Sequence, residues 1–268
     1  LSIPVIKVED VSEENVAINQ KELADKKVLV VDDEASQLAL CAELLKSIGI
    51  KCERAINGKA ALEKLRNNDF HLVLTDIQMP EMDGFELLDA IQNDRIIQDI
   101  PVIAVSGRNE VDPEVYSRAG FQGNIIKPYK PEDLLLKIGE VLQVEIERKK
   151  IIKSKPSKIS LHYSLDEITM FAGNDPEALR SILVAFIESN KKNVKEIKTA
   201  YKKGNTDAAA KIAHRMLPMF KQLKAKEIVR DLEKMEAKED GNFKAPRIEA
   251  LTRRIEKLLE ELGKEITV

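Results

Sequence analysis

From Lys27 onward, short apolar runs alternate with amphipathic stretches. Short apolar runs bounded by turn residues suit buried strands, and apolar positions three and four apart suit helices lying on a core. This pattern predicts strands at 28–31, 51–55, 72–75, 102–105 and 124–126, with helices near 35–48, 58–67, 84–92, 111–119 and 131–143. Five strands and five helices in about 120 residues make an α/β, doubly wound, five-stranded parallel sheet with helices on both faces.

The pattern changes after Gln143. Residues 147–158 hold Arg148, Lys149, Lys150, Lys153, Lys155 and Lys158 with Pro156, and read as an exposed basic linker. Helical patterns follow at 164–171, 175–203, 206–222, 225–238 and 245–263, separated by Gly173, Gly204-Asn205 and Gly241-Asn242. Within the second of these, Leu179, Leu183, Phe186, Ile187, Val194 and Ile197 share one face and leave lysines on the other. An all-α four-helix bundle with short loops is expected. The organisation is therefore a tail and linker at 1–25, an α/β domain at 26–145, a basic linker at 146–160 and a helical bundle at 161–268.

Composition narrows the function classes. With 43% hydrophobic and 33% charged residues, the chain has the make-up of a folded, helix-rich protein. No run reaches the roughly 18–20 apolar residues of a membrane span, and no signal-peptide layout opens the sequence, so no membrane contact is expected. Cys41 and Cys52 fit neither a disulfide framework nor a metal-ligand spacing, and reduced thiols in a cytoplasmic protein are expected. The net charge of −3 hides an asymmetry: 14 basic and 21 acidic residues over 26–145, against 27 and 19 over 146–268. The asymmetry suggests halves that attract each other or complementary partners, with two independently solvated surfaces as the alternative. Interleaved acids and the lack of a recognition motif argue against nucleic acid.

Open parallel sheets bind ligands beyond the carboxyl ends of their strands. Here the first strand ends in Asp32-Asp33-Glu34, the third in Asp76, the fourth in Ser106-Gly107 and the fifth in Lys127-Pro128. Clustered carboxylates repel one another unless a cation is present, and oxygen-only donors favour a hard divalent ion such as Mg²⁺. A carboxylate is also a competent nucleophile toward phosphorus, and a lysine and a hydroxyl stabilise charge on transferring phosphoryl oxygens. Taken singly, Asp33 reads equally well as a helix cap, Ser106 as a loop hydroxyl and Lys127 as a surface charge.

As a set, residues 26–145 resemble the response-regulator receiver domain of two-component signalling, a flavodoxin-like fold. The resemblance rests on Val30-Val-Asp-Asp-Glu34, Leu74-Thr-Asp-Ile-Gln-Met-Pro-Glu-Met-Asp-Gly84, Val105-Ser-Gly107, Ala119-Gly120 and Ile126-Lys-Pro128. It implies that Asp76 is the phospho-acceptor, that Asp32 and Asp33 are acids on the metal side, and that Ser106 is the switch hydroxyl. It also implies that Lys127 binds phosphate and that the Gln78 backbone carbonyl completes an Mg²⁺ shell with Asp32, Asp33 and Asp76. The family's aromatic or histidine three residues before its lysine is replaced by Asn124, so the aromatic half of the switch is expected to be weak or absent.

Of three histidines, His71 and His162 read as structural or solvated, while His214 sits in a helical segment of the bundle. An imidazole there is a good phosphoryl nucleophile. Residues 160–265 resemble a histidine phosphotransfer domain through Leu165-Asp-Glu-Ile168, Phe171-Ala-Gly-Asn-Asp-Pro176, Phe186, Gly204-Asn205, Ile212-Ala-His214 and Leu223. The resemblance makes His214 a second phospho-acceptor. Where the family commonly has lysine and glycine three and four residues on, Leu217 and Pro218 stand here, and Pro218 is expected to kink the helix or free the His214 carbonyl. Lys221, two turns along the same face, or Arg215 supplies the missing positive charge.

The expected arrangement is a receiver followed by a phosphotransfer bundle, the C-terminal part of a bacterial hybrid sensor histidine kinase that is itself compatible with a membrane anchor. Residues 1–6 then resemble the last strand of the kinase ATP-binding domain. The partners are an upstream histidine kinase domain and a downstream response-regulator receiver, and no ATP-binding kinase core lies in these residues. Two rivals stand beside it. One is a phosphorylation-controlled interaction module whose bundle has lost the phosphotransfer chemistry. The other is an aspartyl-phosphate hydrolase, although such enzymes commonly carry an aspartate two residues after the nucleophile, where Gln78 stands.

Overall fold

In the computed structural model, residues 14–18, 23, 25–107, 112–144, 146–150, 163–173, 175–238 and 244–267 are described. The sheet strands are β2 (Lys27–Val31), β3 (Lys51–Ala55), β4 (Leu72–Asp76), β5 (Val102–Gly107) and β6 (Gly123–Lys127). They pair in parallel in the order β3-β2-β4-β5-β6. The order reverses between β2 and β4, so the crevice beyond their carboxyl ends is the natural ligand position of this topology.

Both faces of the sheet are covered, which is why its central strands are apolar through Val28–Val31, Leu72–Leu74 and Val102–Val105. Val28, Val30, Leu72, Leu74, Ile103 and Val105 point into one core, and Leu29, Val31, Val73, Val102 and Ala104 into the other. Helices α2 (Gly58–Asn67), α3 (Gly84–Gln92) and α4 (Pro113–Ala119) accompany the second core, and α1 (Ala35–Ser47) and α5 (Pro131–Leu142) the first. Helix α3 is placed by the residues before it. Asp83 accepts from the Glu86 N–H at 2.8 Å while Glu86 accepts from the Asp83 N–H at 2.9 Å, a reciprocal cap. Gly84 lies so close to β4 that a Cβ there would meet the Asp76 carbonyl oxygen at 2.5 Å.

Five helices follow in the C-terminal half: α6 (Asp166–Phe171), α7 (Pro176–Lys202), α8 (Thr206–Gln222), α9 (Lys226–Glu236) and α10 (Ala245–Thr267). The last four pack in a ring, α7 on α8, α8 on α9, α9 on α10 and α10 back on α7. Phe186 of α7 meets Phe220 of α8 edge to face at 5.1 Å. Helix α8 continues as one helix from Thr206 to Gln222 across Pro218. Met216, Leu217, Met219 and Phe220 are all buried around the proline. Their packing outweighs the local cost of roughly 3 kcal/mol for an interior proline.

Two features depart from the sequence reading. Glu14–Ile18 (β1) and Ile146–Lys150 (β7) pair antiparallel, so part of the expected tail and the start of the expected linker form a ribbon. The pairing places Glu14 opposite Lys150 and Val16 opposite Arg148. The strand-like residues 1–6, the remaining linker basics Lys153, Lys155 and Lys158, and His162 lie outside the described residues.

The second departure is the extent of contact between the two halves. The first core continues from the sheet through α1 and α5 into the C-terminal helices. Helix α1 packs along α7, and ten of its residues, Ser36 through Leu45, are buried on every side. A helix buried all round is apolar all round, and α1 carries only Glu43 and Lys46 as charges. Tyr129 stacks edge to face on Phe171 at 5.8 Å, and Gln222 donates to the Tyr129 carbonyl at 3.4 Å.

Candidate functional site

Beyond the carboxyl ends of β2, β4 and β6, the chain brings Asp32, Asp33, Asp76 and Lys127 together. One carboxylate oxygen from each of the three aspartates lies within 4.8 Å of the others. The Lys127 ammonium donates to Asp32 Oδ2 at 2.7 Å and pairs with Asp76 Oδ2 at 2.9 Å. The other oxygens are also engaged: Asp76 Oδ1 accepts from the Ile77 N–H at 2.7 Å, and Asp32 Oδ1 from the Glu34 N–H at 2.8 Å. Ser106 is buried at the end of β5, one residue past Val105, whose register partner is Asp76. Gly107 is in register with Lys127, so Ser106 and Lys127 share this edge of the sheet. Gln78 is exposed in the loop after β4. Asp33 does not cap α1: the cap position is Glu34, without a side-chain cap bond.

The electrostatics show an excess of negative charge. Burial, together with the repulsion of Asp76 and Asp33, raises the Asp32 carboxyl to about 7 against the pull of Lys127. Burial and Asp76 likewise raise Asp33, while Arg215 pulls it back. Burial works against the Lys127 ammonium, but Asp32 and Asp76 more than reverse this and hold it above the ordinary lysine value. Three convergent carboxylates, two of them pushed up, are oxygen donors short of positive charge. That is the donor set of a hard divalent cation such as Mg²⁺.

Known proteins share this half of the chain. The family profile of the response regulator receiver domain matches residues 28–139. Chemotaxis protein CheY-3 of Vibrio cholerae is 30% identical over 119 residues, which cover 44% of this chain and 92% of that protein. This chain belongs to the response-regulator receiver family. Transcriptional regulatory protein ZraR of Klebsiella oxytoca is 39% identical over 116 residues, 43% of this chain and 26% of that protein. The chain thus spans about a quarter of the length of ZraR. Among solved structures, chemotaxis response regulator CheY4 of Vibrio cholerae is similar at 31% identity over 43% of this chain and 98% of that one, with a TM-score of 0.41.

The receiver's pocket does not end at its own residues. Arg215 of α8 reaches Asp33 Oδ2 at 3.5 Å and Glu34 Oε2 at 3.5 Å. Glu34, buried at 3% exposure, accepts from Ser36 at 3.1 Å, from Asn193 at 3.2 Å and from Ser189. Glu34 thus ties the receiver to α7. Neither Ser189 nor Asn193 was legible as a contact residue, and Glu34 showed only as the third acid of a run. The available signal was α1, too apolar to have a solvent face.

The remaining candidates lie in the helical region. His214 Nδ1 is 2.6 Å from Glu236 Oε1 of α9. A carboxylate only accepts, so Nδ1 is the donor of this pair. Lys221 pairs with Glu233 at 2.8 Å. Arg215, next to His214 and about 100° around the helix, is the residue bonded to the pocket acids. His71 accepts from the Lys27 N–H at 3.2 Å, a structural role. Among the described residues, no helix is long and apolar enough to cross a membrane.

Proposed function

We propose that this chain accepts a phosphoryl group on Asp76 from a histidine kinase, in the cytoplasm, and that the state of Asp76 controls how the helical region docks on the receiver. The observation that carries this reading is the Lys127 ammonium bonded to Asp32 and Asp76 at the switch point of the sheet. An Asp76 oxygen attacks the phosphorus of a phosphohistidine, the P–N bond breaks, and the imidazole leaves with its electron pair. Lys127 then neutralises charge on the transferring oxygens, and the Ser106 hydroxyl donates to one of them. Asp32, Asp33, Asp76 and the Gln78 carbonyl are the groups that would hold Mg²⁺, which when bound offsets phosphoryl charge. The test is incubation of the full chain with a small acyl phosphate and Mg²⁺. A mass gain of one phosphoryl group that maps to Asp76 and vanishes in Asp76→Asn is expected, and a gain that persists in that variant refutes the reading.

A second step is favoured by the Glu236 carboxylate at His214 Nδ1, which orients the ring as a nucleophile. In this reading the helices 176–267 are a four-helix phosphotransfer domain, and His214 exchanges the group with Asp76 or with a downstream receiver. Pro218 and Leu217 replace the common glycine and lysine, and Arg215 stands nearest the pocket. Radiolabel chased from the receiver should appear on the helical region of the wild type and be missing in His214→Gln. Label remaining there without His214 rules out the exchange, leaving the interaction module alone.

A further inference from the structure

Among the described residues, the helical region meets the receiver's acidic pocket through one cation, Arg215, and that cation is held from behind. Besides pairing with Asp33 and Glu34, the Arg215 guanidinium donates to Asn193 Oδ1 at 2.7 Å and Glu196 Oε2 at 2.7 Å, both on α7. Its position is therefore set by two packed helices rather than by a loose side chain, and a planar guanidinium held in this way binds carboxylates directionally. Within the pocket the lysine is committed to Asp32 and Asp76. Asp33 is the aspartate whose cation comes from the other half of the chain.

We infer that Arg215 is a built-in counter-cation of the receiver, so that divalent-cation binding at Asp33 and docking of α7 and α8 oppose each other. The inference rests on the reading that Asp32, Asp33 and Asp76 hold a divalent cation, and it adds the regulation of that site. A divalent ion at Asp33 draws on the carboxylate that Arg215 uses and sets two positive charges against each other. Linkage makes the effect reciprocal: docking weakens cation binding by the same factor by which the cation weakens docking. The pocket would then fill most readily in molecules whose helical region has loosened from α1.

The test uses the full chain at fixed ionic strength, titrated with MgCl₂ in a calorimeter. Arg215→Gln is expected to bind Mg²⁺ about 5–150-fold more tightly than wild type, the usual range of coupling between sites. Arg215→Lys, which keeps a charge without the fork, should fall between them. Equal or weaker binding by Arg215→Gln overturns the inference. A second measurement needs no variant: hydrogen exchange of residues 189–196 in the wild type should quicken when Mg²⁺ is added, and unchanged or slower exchange overturns the inference as well. Absence of Mg²⁺ binding in both proteins would overturn the reading of the pocket together with the inference. Equal binding, abolished in both by Asp33→Asn, would overturn the inference alone.

Discussion

Replacing Lys127 by alanine should expose the cost of the acidic cluster. At 2.7 and 2.9 Å from Asp32 and Asp76, and with an effective dielectric of about 20, each contact is worth roughly 6 kcal/mol gross. Desolvation of the ammonium cancels much of this, but removing one partner of a buried pair leaves the other uncompensated and costs about 3–5 kcal/mol. At roughly 2–4 °C per kcal/mol for a chain of this size, the melting midpoint should fall by about 10 °C. The loss should depend on pH with a definite sign. The folded Asp32 carboxyl stands at about 7, above its ordinary 3.8, so the folded state binds that proton more tightly than the unfolded one. Its contribution is fully present below about pH 4 and is lost as pH rises through 7. Without Lys127 the folded value climbs further, so the variant should be penalised much more at pH 8 than at pH 5. Urea denaturation followed by circular dichroism at both pH values measures this. A penalty equal at pH 5 and pH 8, or no loss of stability, would refute the electrostatic account of the pocket.

Three further outcomes are expected. Mg²⁺ affinity should fall as pH drops below about 7, because Asp32 and Asp33 are both raised and protons compete for the ligand oxygens; calorimetry in buffers of different ionisation enthalpy should detect proton release on binding. Glu34→Ala strips partners from Ser189, Asn193 and Arg215 and should cost about 1–3 kcal/mol, with faster hydrogen exchange at 189–193 as its local sign. Gly84→Ala places a methyl 2.5 Å from the Asp76 carbonyl oxygen, so α3 has to shift; a loss of about 1–3 kcal/mol in a urea melt is expected, with slower labelling of Asp76 by acyl phosphate.

The central strands β2, β4 and β5 were legible because they are buried on both faces and read as short apolar runs between turn residues. The pocket acids were legible because strand ends in a parallel sheet converge, so residues far apart in sequence can be grouped by topology alone. The ribbon was not legible. Its strands, Glu-Asn-Val-Ala-Ile and Ile-Glu-Arg-Lys-Lys, lack apolar alternation and pair across more than a hundred residues, so nothing local marks either as a strand. The docking of the two halves was half legible. Opposite charge on 26–145 and 146–268 suggested attraction, but charge names no surface. The surface was written in α1, whose Leu38, Leu40, Cys41, Leu44 and Leu45 all enter one core. A stripe of that width exceeds what the sheet alone can cover. Pro218 shows that a proline inside a helical run does not end the helix when the residues on both sides of it are buried.

The run 32–34 joins chemistry to docking in three consecutive residues. Asp32 turns to Lys127, Asp33 to the other aspartates and to Arg215, and Glu34 to Ser189 and Asn193 on α7. A change of charge at Asp76 is therefore felt within one or two residues by the polar edge of the interface, while the apolar seam along α1 is indifferent to it. Electrostatic coupling of the usual 1–3 kcal/mol shifts a docking equilibrium by about 5–150-fold. It can switch the protein only if docked and loosened states lie within a few kcal/mol of each other. The buried polar groups at the junction, Ser36 and Asn193, both bonded to Glu34, work in that direction. Burying such groups costs more than burying apolar ones, which keeps the interface weaker than an all-apolar seam of the same length.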